Sequence, residues 1–73
     1  MKVGEFVKRI QRLARKTQTP CRFVKSHGKG SHGTLYYGSG RTTVQDRKRE
    51  LPTGTLHAML RQLGIAIETF NQE

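Results

Sequence analysis

Through the first sixteen positions apolar residues recur at three- and four-residue spacing: Val3, Phe6, Val7, Ile10, Leu13 and Ala14. That period puts them on one stripe of a helix from about residue 3 to 16. Lys2, Lys8, Arg9, Arg12, Arg15 and Lys16 take the rest of the cylinder with only Glu5 against them. The exposed side is therefore cationic, and it reads equally as a solvated face or as a surface for acidic partners. Thr17 to Pro20 stops the helix, because a residue before proline is pushed out of the helical region.

The period then drops to two. From about 21 to 26, Cys21, Phe23 and Lys25 alternate with Arg22, Val24 and Ser26, which predicts a strand. A glycine-rich stretch, His27 to Gly33, leads into a second strand at about 33–37. Gly38-Ser39-Gly40 has hairpin-turn composition, and β-branched residues predict a third strand at about 41–45. After the charged loop Asp46 to Glu50 and Pro52, Thr53 can cap a second helix of about 54–63, with Leu56, Met59, Leu60 and Leu63 as its stripe. Gly64 stands where a left-handed C-terminal residue is wanted. Ile65 and Ile67 can fold back on the core, and Glu68 to Phe70 can add a helical turn before a frayed end. The predicted fold is α+β, in the order αβββα, with both helices on one face of a three-stranded antiparallel sheet and a single domain over residues 1–73.

Size limits what such a domain can bind. At 73 residues a core cannot enclose a deep cavity, so a polymer draped over the outside suits it better than an engulfed metabolite. Charge selects the polymer: fourteen Lys and Arg against five Asp and Glu give +9 and a pI near 10.7, and phosphate is the natural counter-charge. No stretch approaches the ~20 apolar residues of a membrane span, and residues 1–10 lack the apolar core of a secretory signal. A cytoplasmic protein without a membrane partner is expected. Cys21 is the single cysteine, so it forms no intrachain disulfide and reads as a small strand residue.

Elimination narrows the chemistry. Divalent-metal nucleases gather carboxylates around their ions, whereas Glu5, Asp46, Glu50, Glu68 and Glu73 are scattered over separate elements. Cys21, His27 and His32 are too few and too irregularly spaced for zinc. No serine, histidine and acid triad can be read from the order of residues. No metal and no cofactor is expected. RNA brings its own nucleophile, the 2′-hydroxyl, so cleavage needs little beyond one base and some cations. His57 falls beside Leu56 on the second helix and reads as an ordinary flank residue. His27 and His32 both lie in the segment Lys25-Ser26-His27-Gly28-Lys29-Gly30-Ser31-His32-Gly33, where glycines let a backbone approach phosphate. Spacing alone does not choose between them.

A group of short motifs, in order, carries a family resemblance: Gly30-Ser31-His32 opening a strand, Leu35 three places on, the hairpin into Thr42-Thr43-Val44, then Leu51-Pro52-Thr53-Gly54-Thr55-Leu56 leading through Met59-Leu60 to Gln62-Leu63-Gly64-Ile65. In these the chain resembles the HicA toxins of prokaryotic toxin–antitoxin pairs over nearly its whole length. The resemblance implies a fold like a double-stranded-RNA-binding domain and an mRNA interferase whose catalytic histidine follows Gly-Ser, hence His32. Lys25, Lys29, Gly30, Ser31, Arg41, Arg47, Lys48 and Arg49 are the expected RNA contacts. It also implies neutralisation by a HicB-like antitoxin, which would supply any oligomerisation of the complex. Two departures stand out: Gly33 follows the histidine where a second histidine or another polar residue is frequent, and an extra basic stretch separates the first helix from the strand. A non-catalytic double-stranded-RNA-binding module is the alternative that charge alone leaves open.

Overall fold

A computed structural model describes residues 1–26 and 32–72. The first helix, α1, runs Val3–Thr17 and buries Val3, Phe6, Val7, Ile10, Leu13 and Ala14, the stripe the spacing predicts. Its end is set before the proline acts. Gln18 adopts a left-handed conformation (φ 54°), and the N–H groups of Gln18 and Thr19 return to the carbonyls of Arg15 and Ala14, closing the last turn. The start of α1 has no side-chain cap. Instead the N–H groups of Val3 and Gly4 donate to the carbonyls of Arg49 and Arg47, each at 2.9 Å, so two orphan donors of the first turn tie down the loop after the sheet.

Three strands follow, β1 (Cys21–Lys25), β2 (Gly33–Tyr37) and β3 (Gly40–Val44), in the order β1-β2-β3. Both pairings are antiparallel, with Phe23 opposite Leu35 and Leu35 opposite Thr42. β1 ends one residue earlier than the sequence expectation and β3 is shifted one residue toward the N-terminus. Gly40 pairs with Tyr37 and so belongs to β3, leaving Gly38-Ser39 as a two-residue turn. Strand alternation gives the sheet an inner row, Phe23, Leu35, Thr42 and Val44, of which the last three are buried.

The second helix, α2 (Thr53–Leu63), buries Met59, Leu60 and Leu63 and ends at left-handed Gly64 (φ 76°). Thr53 does not cap it. Pro52 holds the N-cap position, extended at φ −65° and ψ 149° with no side-chain cap, and its carbonyl accepts the Leu56 N–H at 2.9 Å. The proline ring fixes φ near that value and there is no N–H to lose, so the helix begins one residue earlier than a threonine cap requires. The buried hydroxyl of Thr42 donates to Gln62 Oε1, pinning α2 to β3.

A short third helix, α3 (Ile67–Asn71), forms the turn expected at Glu68 to Phe70 and extends it by one residue at each end. Phe70 is 1% exposed and its ring centroid lies 5.5 Å from that of Phe6. Burying one such aromatic contributes roughly 1.5–3 kcal/mol, enough to hold a single turn. Arg9 lies over Phe70 at 5.7 Å and pairs with Glu5 at 3.0 Å, so it belongs to this packing and not to the exposed side of α1. The architecture is αβββα plus α3, with one hydrophobic cluster drawing on α1, the inner sheet face, α2, Ile65 and Phe70. Among the described residues no helix is long and apolar enough to cross a membrane.

Candidate active site

His32 enters β2 one residue before Gly33 and is half-buried. Its carbonyl accepts the Ser26 N–H at 2.8 Å, a backbone bond that continues the β1–β2 ladder past the pair Lys25 and Gly33. Strand alternation puts Thr34 and Tyr36 on the outer sheet face, and His32, two places before Thr34, continues that row. His27, Lys29, Gly30 and Ser31 lie outside the described residues.

Topology brings the charged loop to the same end of the sheet. Val44, the last residue of β3, pairs with Gly33, the first of β2, so the chain leaves β3 where His32 enters β2. The loop is shaped by Asp46: its Oδ1 accepts the Lys48 N–H at 3.0 Å and its carbonyl accepts the Arg49 N–H at 3.1 Å. Arg49 Nη1 donates to Gln45 Oε1 at 3.4 Å. Beside it a cleft of about 220 Å³ opens between Gln45, Arg49, Thr43 and Thr55. Lys25, Arg47, Lys48 and Arg49 thus gather at the His32 end, and all four are exposed. Arg41 does not join them: it pairs with Tyr36, four residues along β2 from His32.

Arg47 has a second role that its place in a charged run does not announce. Its guanidinium carbon lies 4.4 Å from the centroid of the Phe23 ring, close enough for a cation–π contact. Phe23 in turn fills the space above Gly33: a Cβ there would lie 2.6 Å from Phe23 Cζ and 2.5 Å from the Val24 carbonyl oxygen. The residue after the histidine is therefore glycine because the neighbouring strand and its phenylalanine occupy the room a side chain would need. Sequence reasoning also passed over Arg22, whose guanidinium lies 5.4 Å from the centroid of the Tyr36 ring; only the strand register brings that pair together.

His57 is exposed on α2, in the flank position expected. Cys21 is half-buried, and burial pushes its thiol pKa up, away from the thiolate a nucleophile needs. Among the described residues no three of His, Cys, Asp and Glu lie close enough together to hold a metal ion.

The family model described as HicA toxin of bacterial toxin–antitoxin matches residues 21–65, from the first residue of β1 to just past α2. Neither the curated proteins nor the solved structures yield a match.

Proposed function

Because the chain belongs to the HicA family, toxins of bacterial toxin–antitoxin pairs, we propose that it is a metal-independent endoribonuclease that cleaves mRNA with His32 as general acid or base. The observation that carries this reading is the family match, whose span includes His32 and the whole sheet. The gathering of Lys25 and the Arg47 to Arg49 loop at the same sheet end supports it.

In the reaction the 2′-oxygen attacks the adjacent phosphorus, one phosphorus–oxygen bond forms, and the bond to the 5′-oxygen breaks. His32 accepts the 2′-hydroxyl proton or delivers a proton to the leaving 5′-oxygen. The products are a 2′,3′-cyclic phosphate and a free 5′-hydroxyl, so no oxidant, metal or cofactor is called for. Lys25, Lys29, Arg47, Lys48 and Arg49 neutralise the phosphates around the scissile bond, and the backbone N–H groups of Gly30 and Ser31 donate hydrogen bonds to them. Arg41 binds the strand farther along. A HicB-like antitoxin inhibits by covering this cationic end, its acidic groups replacing phosphate, and supplies any oligomerisation of the complex. Cytoplasmic mRNA is the substrate.

The test is cleavage of single-stranded RNA by the purified chain in the presence of a chelator, with the cyclic phosphate identified on the product. Binding without cleavage would leave the double-stranded-RNA-binding module, which the αβββα order also fits. The loop is tested separately. A Lys48→Ala, Arg49→Ala double variant should lower the slope of log affinity for single-stranded RNA against log salt by about 1.4, about 0.7 for each phosphate no longer neutralised. An unchanged slope removes both residues from the footprint.

A further inference from the structure

The strand register lines up three residues across the outer sheet face: Arg22 on β1, Tyr36 on β2 and Arg41 on β3. Arg22 and Arg41 are exposed, as is Val24 on the same face, at 43%. No Asp or Glu occurs anywhere from residue 21 to 44, which nonetheless holds Arg22, Lys25, Lys29 and Arg41. Arg22 and Arg41 have no carboxylate on the sheet to pair with, and the face is complementary to an anionic polymer. Between the charges stands an aromatic ring. Arg22 packs over it from the β1 side at 5.4 Å, and on the β3 side a shallow depression of about 400 Å³ opens between Tyr36, Thr34, Arg41 and Thr43.

We propose that Tyr36, backed by Arg22 and faced by Arg41, is a base-stacking subsite for single-stranded RNA. The proposal rests on the RNA-cleaving reading for its ligand and deepens it by naming the substrate form. A base inserted on the β3 side meets the π-face of Tyr36 while Arg41 reaches its phosphate, the combination of stacking platform and cationic groove that holds unpaired strands. A duplex hides its base faces, so stacking here requires an unpaired nucleotide. His32 and Tyr36 are four residues apart on one row, about 13 Å at the ~3.3 Å rise of a strand. The base held at Tyr36 therefore lies well away from the residue proposed to act on the cleaved bond.

The test uses the His32→Ala chain, expected to cut far more slowly, and two labelled probes, a short oligoadenylate and a matched ribose-phosphate oligomer without bases, with labelled polyglutamate as a control. A stacked base is worth about 1–3 kcal/mol, so Tyr36→Ala should weaken oligoadenylate binding about 5- to 140-fold. Tyr36→Phe keeps the π-face and should bind within about twofold of the parent. Neither change should alter affinity for the base-free oligomer. Equal affinity of Tyr36→Ala and the parent for oligoadenylate overturns the proposal, as does an equal loss for both probes. A loss confined to an acidic polypeptide such as polyglutamate also overturns it and makes the face a protein surface.

A second readout does not depend on that variant folding. The chain has two tyrosines and no tryptophan, so Tyr37→Phe leaves Tyr36 as the sole tyrosine emitter. Its fluorescence should be quenched by oligoadenylate and not by the base-free oligomer; emission unchanged by both overturns stacking. A chain with His32 intact that never cleaves RNA, beside base-dependent quenching of Tyr36, refutes the nuclease and keeps the subsite. Cleavage with no quenching does the reverse.

Discussion

Replacing His32 with alanine should lower the rate of RNA cleavage about 10²- to 10⁴-fold, the contribution of one general acid or base, with fold and RNA affinity near wild type. The fold is expected to persist because the hydrogen bond His32 gives the hairpin, from the Ser26 N–H at 2.8 Å, ends on its backbone carbonyl, which alanine retains. Affinity should persist because the phosphate contacts proposed for Lys25 and the Arg47 to Arg49 loop are left untouched. The measurement is single-turnover cleavage of a single-stranded RNA in chelator, beside His27→Ala, which should lose far less. Both variants need wild-type thermal unfolding first, so that lost activity is not lost structure. A substrate with 2′-deoxyribose at the cleaved position should be inert to the wild-type chain, since its nucleophile is gone. A loss below about tenfold for His32→Ala, or a larger one for His27→Ala, takes the general acid or base role away from His32.

Local periodicity made the helices legible. All six residues of the predicted α1 stripe are buried, and Gly64 closes α2 in the left-handed region, because both signals depend on neighbours within a turn. Non-local contacts were not legible. Spacing in the sequence put Arg47 in a run of like charges, but the fold lays it over Phe23, twenty-four positions earlier, while its carbonyl caps α1. The turn at Glu68 to Phe70 was legible, but the packing of Phe70 against Phe6, sixty-four positions earlier, was not. The candidate site divides in the same way. His32 was singled out by motif resemblance, and its approach to the basic loop follows from β3 ending opposite the start of β2. The row of Arg22, Tyr36 and Arg41 needed the register, which a sequence does not print and which a one-residue slip would invert.

Gly33→Ala should destabilise the chain by about 1–3 kcal/mol, the usual cost of overpacking a filled site. Two effects oppose each other. Exchanging glycine for alanine reduces the entropy of the unfolded chain and stabilises by about 0.4–1 kcal/mol where the backbone and surroundings accept a Cβ. Here the surroundings do not. The new atom would sit 2.6 Å from Phe23 Cζ, the tip of a side chain that can swing, but also 2.5 Å from the Val24 carbonyl oxygen, which is backbone of the paired strand and can yield only if β1 and β2 separate. The clash therefore outweighs the entropy. At about 4–8 °C per kcal/mol for a domain of this size, thermal unfolding should fall by roughly 4–24 °C. Gly54 gives the opposite sign: a Cβ there meets nothing within 4 Å, and alanine on the exposed first turn of α2 should leave stability unchanged or raise it slightly. Displacing Phe23 also removes the surface on which Arg47 rests, so the Gly33 variant should lose cleavage activity even at temperatures where it stays folded. Unfolding of Gly33→Ala within about 0.5 kcal/mol of wild type would mean that β1 does not press on the strand end beside His32, and that glycine there answers to some other demand.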